Sequence, residues 1–204
     1  MAYLGTQPND VKKNTGLYTP SEILQLTKDG NWGGSLELIA ESNPSGVNIV
    51  DFTDIKENVY DVHYVTIKIA LNGAGSVNMQ FFESGVIETG GVYNYAYQNG
   101  NAVTGFSETK STSGTRLFAT RIGSTGEQRV SYNYLYNLGN SAKFSFQTMQ
   151  GVSRNVGTSA CDMRFGGGVL PQASTVDGIR FTETSGQLLT GNIKLYGVKQ
   201  IWVT

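Results

Sequence analysis

Cysteine, histidine, proline and charge are all scarce in this chain, and each scarcity closes off a class of chemistry. The single cysteine, Cys161, excludes an intrachain disulfide and any multi-cysteine zinc site. It suits a protein folded in a reducing compartment, with an intermolecular bond as the one other use open to it. The single histidine, His63, excludes a histidine-based metal cluster. It lies inside a long strand pattern, and no Gly-x-Ser-x-Gly elbow supplies a nucleophile, so it reads as structural. Charged residues make up 15% of the chain and the formal net charge is −1, which gives no long-range attraction for nucleic acid or anionic lipid. Arg116, Arg121, Arg129 and Arg164 are scattered rather than striped, which argues the same way. No dinucleotide-binding or phosphate-binding glycine motif occurs, and Gly166–Gly168 runs into Val169-Leu170-Pro171 rather than a helix. No cofactor, metal or catalytic residue is expected. No apolar run approaches the roughly 20 residues that cross a bilayer. The opening Met1-Ala2-Tyr3-Leu4-Gly5 lacks a basic segment followed by a long apolar one, so the sequence predicts a product made in the cytoplasm and neither secreted nor inserted in a membrane.

What is abundant points to strands. The 26 glycines and 11 tyrosines against 4 prolines favour an all-β chain with many glycine-bearing turns. The clearest alternation is at the C-terminal end. Ile179 and Phe181 alternate with Arg180 and Thr182, and Ile193 and Leu195 with Lys194 and Tyr196, across a Gly-rich link compatible with a hairpin. Gly197 interrupts the second run where a bulge would let Ile201 and Val203 face inward again. Upstream, Val65, Ile67, Ile69 and Leu71 share one face of a long strand, while Val62 and Tyr64 take the opposite parity. Further candidates are Leu36–Ala40, Val47–Phe52, Val77–Phe81, Gly91–Tyr97, Arg116–Ile122, Val130–Tyr136 and Phe144–Thr148. About ten such segments, without repeats or an internal linker, predict one jelly-roll-like antiparallel β-sandwich over residues 31–204.

Residues 1–30 differ. The first eighteen carry no period and read either as a disordered terminus or as an arm that orders on a neighbouring subunit, anchored by Tyr3, Leu4, Leu17 and Tyr18. One short helix follows. Thr19 is its N-cap, Pro20 its first residue and Glu22 completes a capping box, while Ile23, Leu24 and Leu26 give it a small apolar side and Gly30 ends it.

Two polar features invite a functional reading. Asp51, Asp54, Glu57 and Asp61 supply oxygens for calcium or for acid–base chemistry, but their spacing fits no calcium loop and Lys56 sits among them, so a solvated loop is expected. Two tyrosine ladders stand out more: Tyr93, Tyr95 and Tyr97, and Tyr132, Tyr134 and Tyr136. Each is either a core face or a polar-tipped surface for a subunit contact or for stacking on glycan rings.

Two stretches carry a family resemblance. One is Met1–Gly5 with Leu17-Tyr18-Thr19-Pro20-Ser21-Glu22 and the run from Trp32 to Ile39. The other is Val176–Phe181 with Ser185-Gly186 and Gly191–Val198. Together they cover about a quarter of the chain, and on them it resembles virion structural proteins of tailed bacteriophages, especially phages of marine bacteria. The resemblance implies a non-enzymatic tail- or capsid-surface component, carried in the virion after synthesis in the host cytoplasm. Its expected partners are other virion proteins, further copies of itself (a trimer among the options), and alternatively a host-surface glycan, with no nucleic acid and no membrane insertion. The chain continues six residues past Val198, through Trp202, and that extension is a candidate further contact.

Overall fold

The computed structural model describes residues 19–28, 35–155, 160–183 and 186–199. The chain divides into two compact units, Met1–Ser35 and Leu36–Thr204, five residues beyond the boundary expected from sequence.

The first unit contains the helix α1, Pro20–Lys28. Its start is the expected capping box: the Glu22 amide donates to Thr19 Oγ1 at 3.3 Å, and the Thr19 amide donates back to Glu22 Oε2 at 2.6 Å. Those bonds from Thr19 hold the Glu22 carboxyl below its usual range. Nine residues fall short of the ~12–15 at which an isolated helix becomes marginally stable. Leu24 is exposed on it. Tyr3, Leu4, Leu17 and Tyr18 of the expected arm, Gly30, the Ile23 side chain, and Ile201, Trp202 and Val203 lie outside the described residues.

The second unit is a two-sheet antiparallel β-sandwich. Its strands are β1 (Leu36–Ser42), β2 (Ser45–Val47), β3 (Ile49–Phe52), β4 (Val62–Leu71), β5 (Asn78–Glu83), β6 (Val86–Ile87), β7 (Tyr93–Asn101), β8 (Gly105–Gly114), β9 (Leu117–Phe118), β10 (Gln128–Tyr136), β11 (Ser145–Asn155), β12 (Ala160–Leu170), β13 (Val176–Thr182) and β14 (Leu189–Val198). The large sheet runs β1-β14-β4-β10-β11-β12-β7-β8, with β2 also on β14. The small one runs β3-β13-β5-β6, with β9 also on β5. The jelly-roll-like sandwich read from the sequence is the observed fold.

The closing strands are not a hairpin. β13 pairs with β3 and β5 in the small sheet, whereas β14 pairs with β1 and β4 in the large one. Their alternations therefore face each other across the core, Ile179 and Phe181 against Ile193 and Leu195, all fully buried. Burying one such side chain contributes ~1.5–3 kcal/mol. Gly197 is not a bulge either. It stays in register with Glu37 and His63, and the register shift lies on the neighbouring strand between Leu38 and Ala40. What Gly197 supplies is room, since a Cβ there falls within 2.5 Å of the Tyr60 ring.

The apolar core occupies one half of the sandwich. There β4, β14 and Leu135 of β10 face Val50, Phe52, Met79, Phe81, Ile179 and Phe181 of the small sheet. Over the rest of the large sheet the small one reaches through β5 and the short β9, whose Phe81 and Phe118 lie against Tyr93, Tyr95 and Tyr97. On that half, beside Tyr93, Tyr97, Met149 and Leu170, many inward side chains are polar: Arg129, Ser131 and Asn133 on β10, Gln147 and Ser153 on β11, Asp162 and Arg164 on β12, Asn99 on β7. They are covered by β9 and the irregular segment after it; of the strand predicted over Arg116–Ile122, Leu117–Phe118 is observed and the rest is irregular.

That segment is laced from both sides. Its amides at Ala119 and Gly126 donate to Val77 O and Leu71 O at 2.9 and 2.8 Å. Its carbonyls are taken by the sheet: Gln147 Nε2 donates to Phe118 O at 2.8 Å, Ser131 Oγ to Ala119 O at 2.7 Å, Ser153 Oγ to Ile122 O at 2.6 Å and Arg129 Nη2 to Gly123 O at 2.6 Å. A buried loop survives only if its backbone polar groups are paired, and here sheet side chains complete the pairing.

Candidate contact surface

The outward face of the large sheet gathers most of the exposed rings. On β4 the residues opposite the core are Val62, Tyr64, Thr66 and Lys68. On β10 the core parity belongs to Arg129, Asn133 and Leu135, so Tyr132, Tyr134 and Tyr136 point outward. Antiparallel register then brings the rings together. Tyr64 is directly opposite Tyr134 on one side and Tyr196 on the other, and Tyr136 is opposite Phe146. Tyr64 and Tyr134 lie 4.8 Å apart between ring centroids, Tyr64 and Tyr196 6.0 Å, and Tyr134 and Tyr136 6.4 Å. Aromatic cross-strand pairs of this kind stabilise a sheet face and also make a flat, hydroxyl-tipped platform.

The face continues across β11 and β12. Val130 is opposite Val152, and Gln150 is opposite Phe165. Phe146 and Phe165 are 42% and 40% exposed and Tyr132 is 39%, too open for core residues and too contiguous for isolated surface apolars. The hydroxyls are partly engaged along the sheet: Tyr132 donates to Gln150 Oε1 at 2.6 Å. Burial among its neighbours, and then the neighbouring Tyr134, Tyr132 and Tyr196, push the Tyr64 hydroxyl above its usual range.

The other ladder has the opposite fate. Tyr93 and Tyr97 are core residues, with Tyr95 half-buried beside them, so this ladder presents no surface. The Tyr93 hydroxyl accepts from the Phe81 amide at 2.9 Å, and the Tyr97 hydroxyl donates to Gln147 Oε1 at 2.7 Å. Burial drives both hydroxyls well above the ordinary tyrosine range. The physical reason is that both hydroxyls find partners inside: Gln147 and the Phe118 amide for Tyr97, the Phe81 amide and the Glu88 carbonyl for Tyr93.

Of the other polar candidates, His63 is fully buried. Its Nε2 donates to Ile55 O at 2.7 Å, its Nδ1 has no partner, and burial holds its pKa below the ordinary value. Its one hydrogen bond among the described residues is to a backbone carbonyl, not to the serine or carboxylate a triad requires. Asp51 is engaged by Arg180, whose Nε and Nη2 donate to its two carboxylate oxygens at 2.8 and 2.7 Å. Among the described residues no three metal-ligating side chains converge. Three of the four arginines that look scattered in sequence, Arg121, Arg129 and Arg164, gather instead on the polar inner side. Arg129 is fully buried, and Arg164 lies with its guanidinium carbon 4.2 Å from the Phe118 ring centroid. The signal for them was present: Arg129 shares parity with Asn133 and Leu135, opposite the tyrosines.

Comparison with protein-family models, curated proteins and solved structures finds no match.

Proposed function

We propose that this chain is a non-enzymatic structural component of a tailed-phage particle that packs against further copies of itself through the outward face of the large sheet. The observation that carries the reading is that face: a cluster of half-buried rings, Tyr196, Tyr64 and Tyr134, with the exposed Tyr132, Phe146 and Phe165 on the same side of the sheet. Large rings that need little side-chain ordering are the residues on which association energy concentrates. The formal net charge of −1 fits a protein meant to sit among identical neighbours, because copies repel one another little. Residues 1–30 act as a tether to other virion proteins, and many modest contacts reinforce one another through effective concentration.

Electron cryo-microscopy of intact virions tests this, with residues 36–199 fitted as a rigid body. Density for the sandwich, with copies meeting across Tyr64 and Tyr134, is expected. Particles that contain no such density overturn the reading. A second reading, a host-surface glycan-binding module, is favoured by the hydroxyl tips of the same rings, which suit stacking on sugars. A glycan array probed with the assembled protein separates the two, since the structural reading expects no signal from that face.

A further inference from the structure

At the turn end of the β7–β8 hairpin, the inner side of the large sheet holds a polar recess of about 200 Å³. Asn99, Asn101, Ser107 and Asp162 line it from three adjacent strands, with Thr104 from the turn and Arg121 from the covering segment. Its floor is tightly specified. Asp162 is buried, and Asn101 Nδ2 donates to its Oδ1 at 2.5 Å. Asn101 Oδ1 accepts from the Val103 and Thr104 amides at 2.8 and 3.0 Å, which sets the turn. Asn99 Oδ1 accepts from Arg164 Nε at 2.7 Å, and its amide donates to Thr109 Oγ1 at 2.8 Å. These side chains are committed to one another.

Arg121 is not. Its side chain is 15% exposed, its one ionic contact is to Asp162 Oδ1 at a long 3.5 Å, and its Nε is buried with no partner. A guanidinium carries five donors in a planar fork, and leaving them unmatched away from bulk water is unfavourable. The second guanidinium nearby, Arg164, is turned to Asn99 Oδ1 and Thr120 O. Burial first, and then the nearby Arg121 charge, push Arg164 down to about 10. The recess therefore holds an under-used planar fork, with Thr104 and Ser107 at its exposed rim.

We infer that this recess binds a small hydroxylated carboxylic acid, such as a uronic acid, with the Arg121 fork on its carboxylate and the Thr104 and Ser107 rim on its hydroxyls. A planar fork matches a carboxylate bidentately. Phosphate is disfavoured, because its second negative charge would sit beside Asp162 with a single guanidinium available. The volume is below the ~300 Å³ at which pockets for drug-sized ligands begin, so it admits one sugar-sized unit. The polar lining residues Asn99, Asn101, Ser107 and Asp162 have the opposite parity from the aromatic face, so the inference is independent of the assembly reading.

Calorimetric titration of the full chain with glucuronate, glucose and inorganic phosphate tests it. Glucuronate should bind, with glucose and phosphate at least tenfold weaker. R121Q should lose at least tenfold in glucuronate affinity, R121K should fall between the two, and S107A should lose a few-fold while melting at the wild-type temperature. The methyl glycoside of glucuronate separates a free acid from the terminus of a glycan; binding of either supports the site. No glucuronate binding by the wild type, phosphate binding as tight as glucuronate, or full binding by R121Q overturns it. Should R121Q not fold, the rim variant T104V/S107A carries the test, and unchanged glucuronate affinity there overturns the assignment.

Discussion

Tyr60 fits where Gly197 has no side chain: a Cβ on Gly197 falls within 2.5 Å of the Tyr60 ring. The ring is buried, and its hydroxyl is bonded to the Glu37 carboxylate on β1. Burial, and then Glu37, push that hydroxyl up to about 12, while the bond from Tyr60 holds the Glu37 carboxyl down. One glycine thus lets an aromatic ring join the end of β14 to β1. Gly197→Ala should destabilise the sandwich by about 1–3 kcal/mol, the range for overpacking. Urea unfolding checks this, and the decisive comparison is a cycle with Tyr60→Ala. Once the ring is gone, Gly197→Ala should cost little, giving a coupling energy well above zero.

The segment after β9 depends on one buried cation. Arg129 donates from Nε to Gly75 O at 2.8 Å, from Nη1 to Glu127 O at 2.9 Å, and from Nη2 to Gly123 O at 2.6 Å and Ser124 O at 3.1 Å. Bonds from a charged donor are worth about 1.5–3 kcal/mol each, and removing the donor strips these carbonyls of their charged partner. Arg129→Met should therefore destabilise by about 3 kcal/mol or more. The loss should be local first: the Gly75 and Gly123 amides, which bond each other's carbonyls at 3.1 and 2.9 Å, should exchange hydrogen much faster than the β4 amides. Uniform acceleration across the sandwich would count against a strap held by Arg129.

Alternation made the faces of most strands legible, but not which face lies inside. Along β4 the two questions have one answer, because Val65, Ile67, Ile69 and Leu71 are the more apolar side and the small sheet covers them. Along β10 they separate. Tyr132, Tyr134 and Tyr136 look like a core stripe, yet Arg129, Ser131 and Asn133 face in, because the covering layer there is a loop whose carbonyls need donors. Only the tertiary arrangement reveals that need. β8 was passed over because an edge strand reading Gly105-Phe106-Ser107-Glu108-Thr109-Lys110 buries no stripe, and its polar charged composition suits an unpaired edge. β12 was hidden by Gly166-Gly167-Gly168, which looks like a loop; at φ 145° Gly166 takes a conformation L residues rarely adopt, with Tyr97 packed close by. Arg121 drew notice only as one of several scattered cations, since its neighbours Asn101 and Asp162 come from distant strands.

Acid should weaken the fold through His63. Burial lowers its pKa below the ordinary 6.5, opposed in part by its bond to the Ile55 carbonyl and by the Glu57 charge. The folded state therefore binds a proton less readily than the unfolded chain. Where the unfolded state holds more protons, stability rises with pH. The His63 contribution is complete above about 6.5 and is lost progressively as pH falls from there toward the lowered folded value. Urea midpoints at pH 7.5, 6.5 and 5.5 should decline in that order. In His63→Gln, which retains an amide donor for the Ile55 carbonyl, the slope across this window should flatten even if the absolute stability is lower. An unchanged slope would place the sensitivity on another group.

The aromatic face makes the sharpest demand on solution behaviour. If copies meet there, the purified chain should associate in a concentration-dependent way, and a charge placed centrally should abolish association without unfolding the monomer. Phe165 suits this test because it is 40% exposed and sits opposite Gln150, outside the core. Phe165→Glu should weaken association by roughly 30-fold or more, the equivalent of about 2 kcal/mol at a central interface residue. Tyr134→Ser, at the centre of the ring cluster, should act in the same direction. Sedimentation velocity across a concentration series reads both, with circular dichroism confirming the fold. Val86→Glu is the control: Val86 is 69% exposed, but it lies on β6 of the small sheet. Equal effects at residues 165 and 86 would point to generic solubility, whereas loss at 165 alone would assign the contact to the large sheet's outward face.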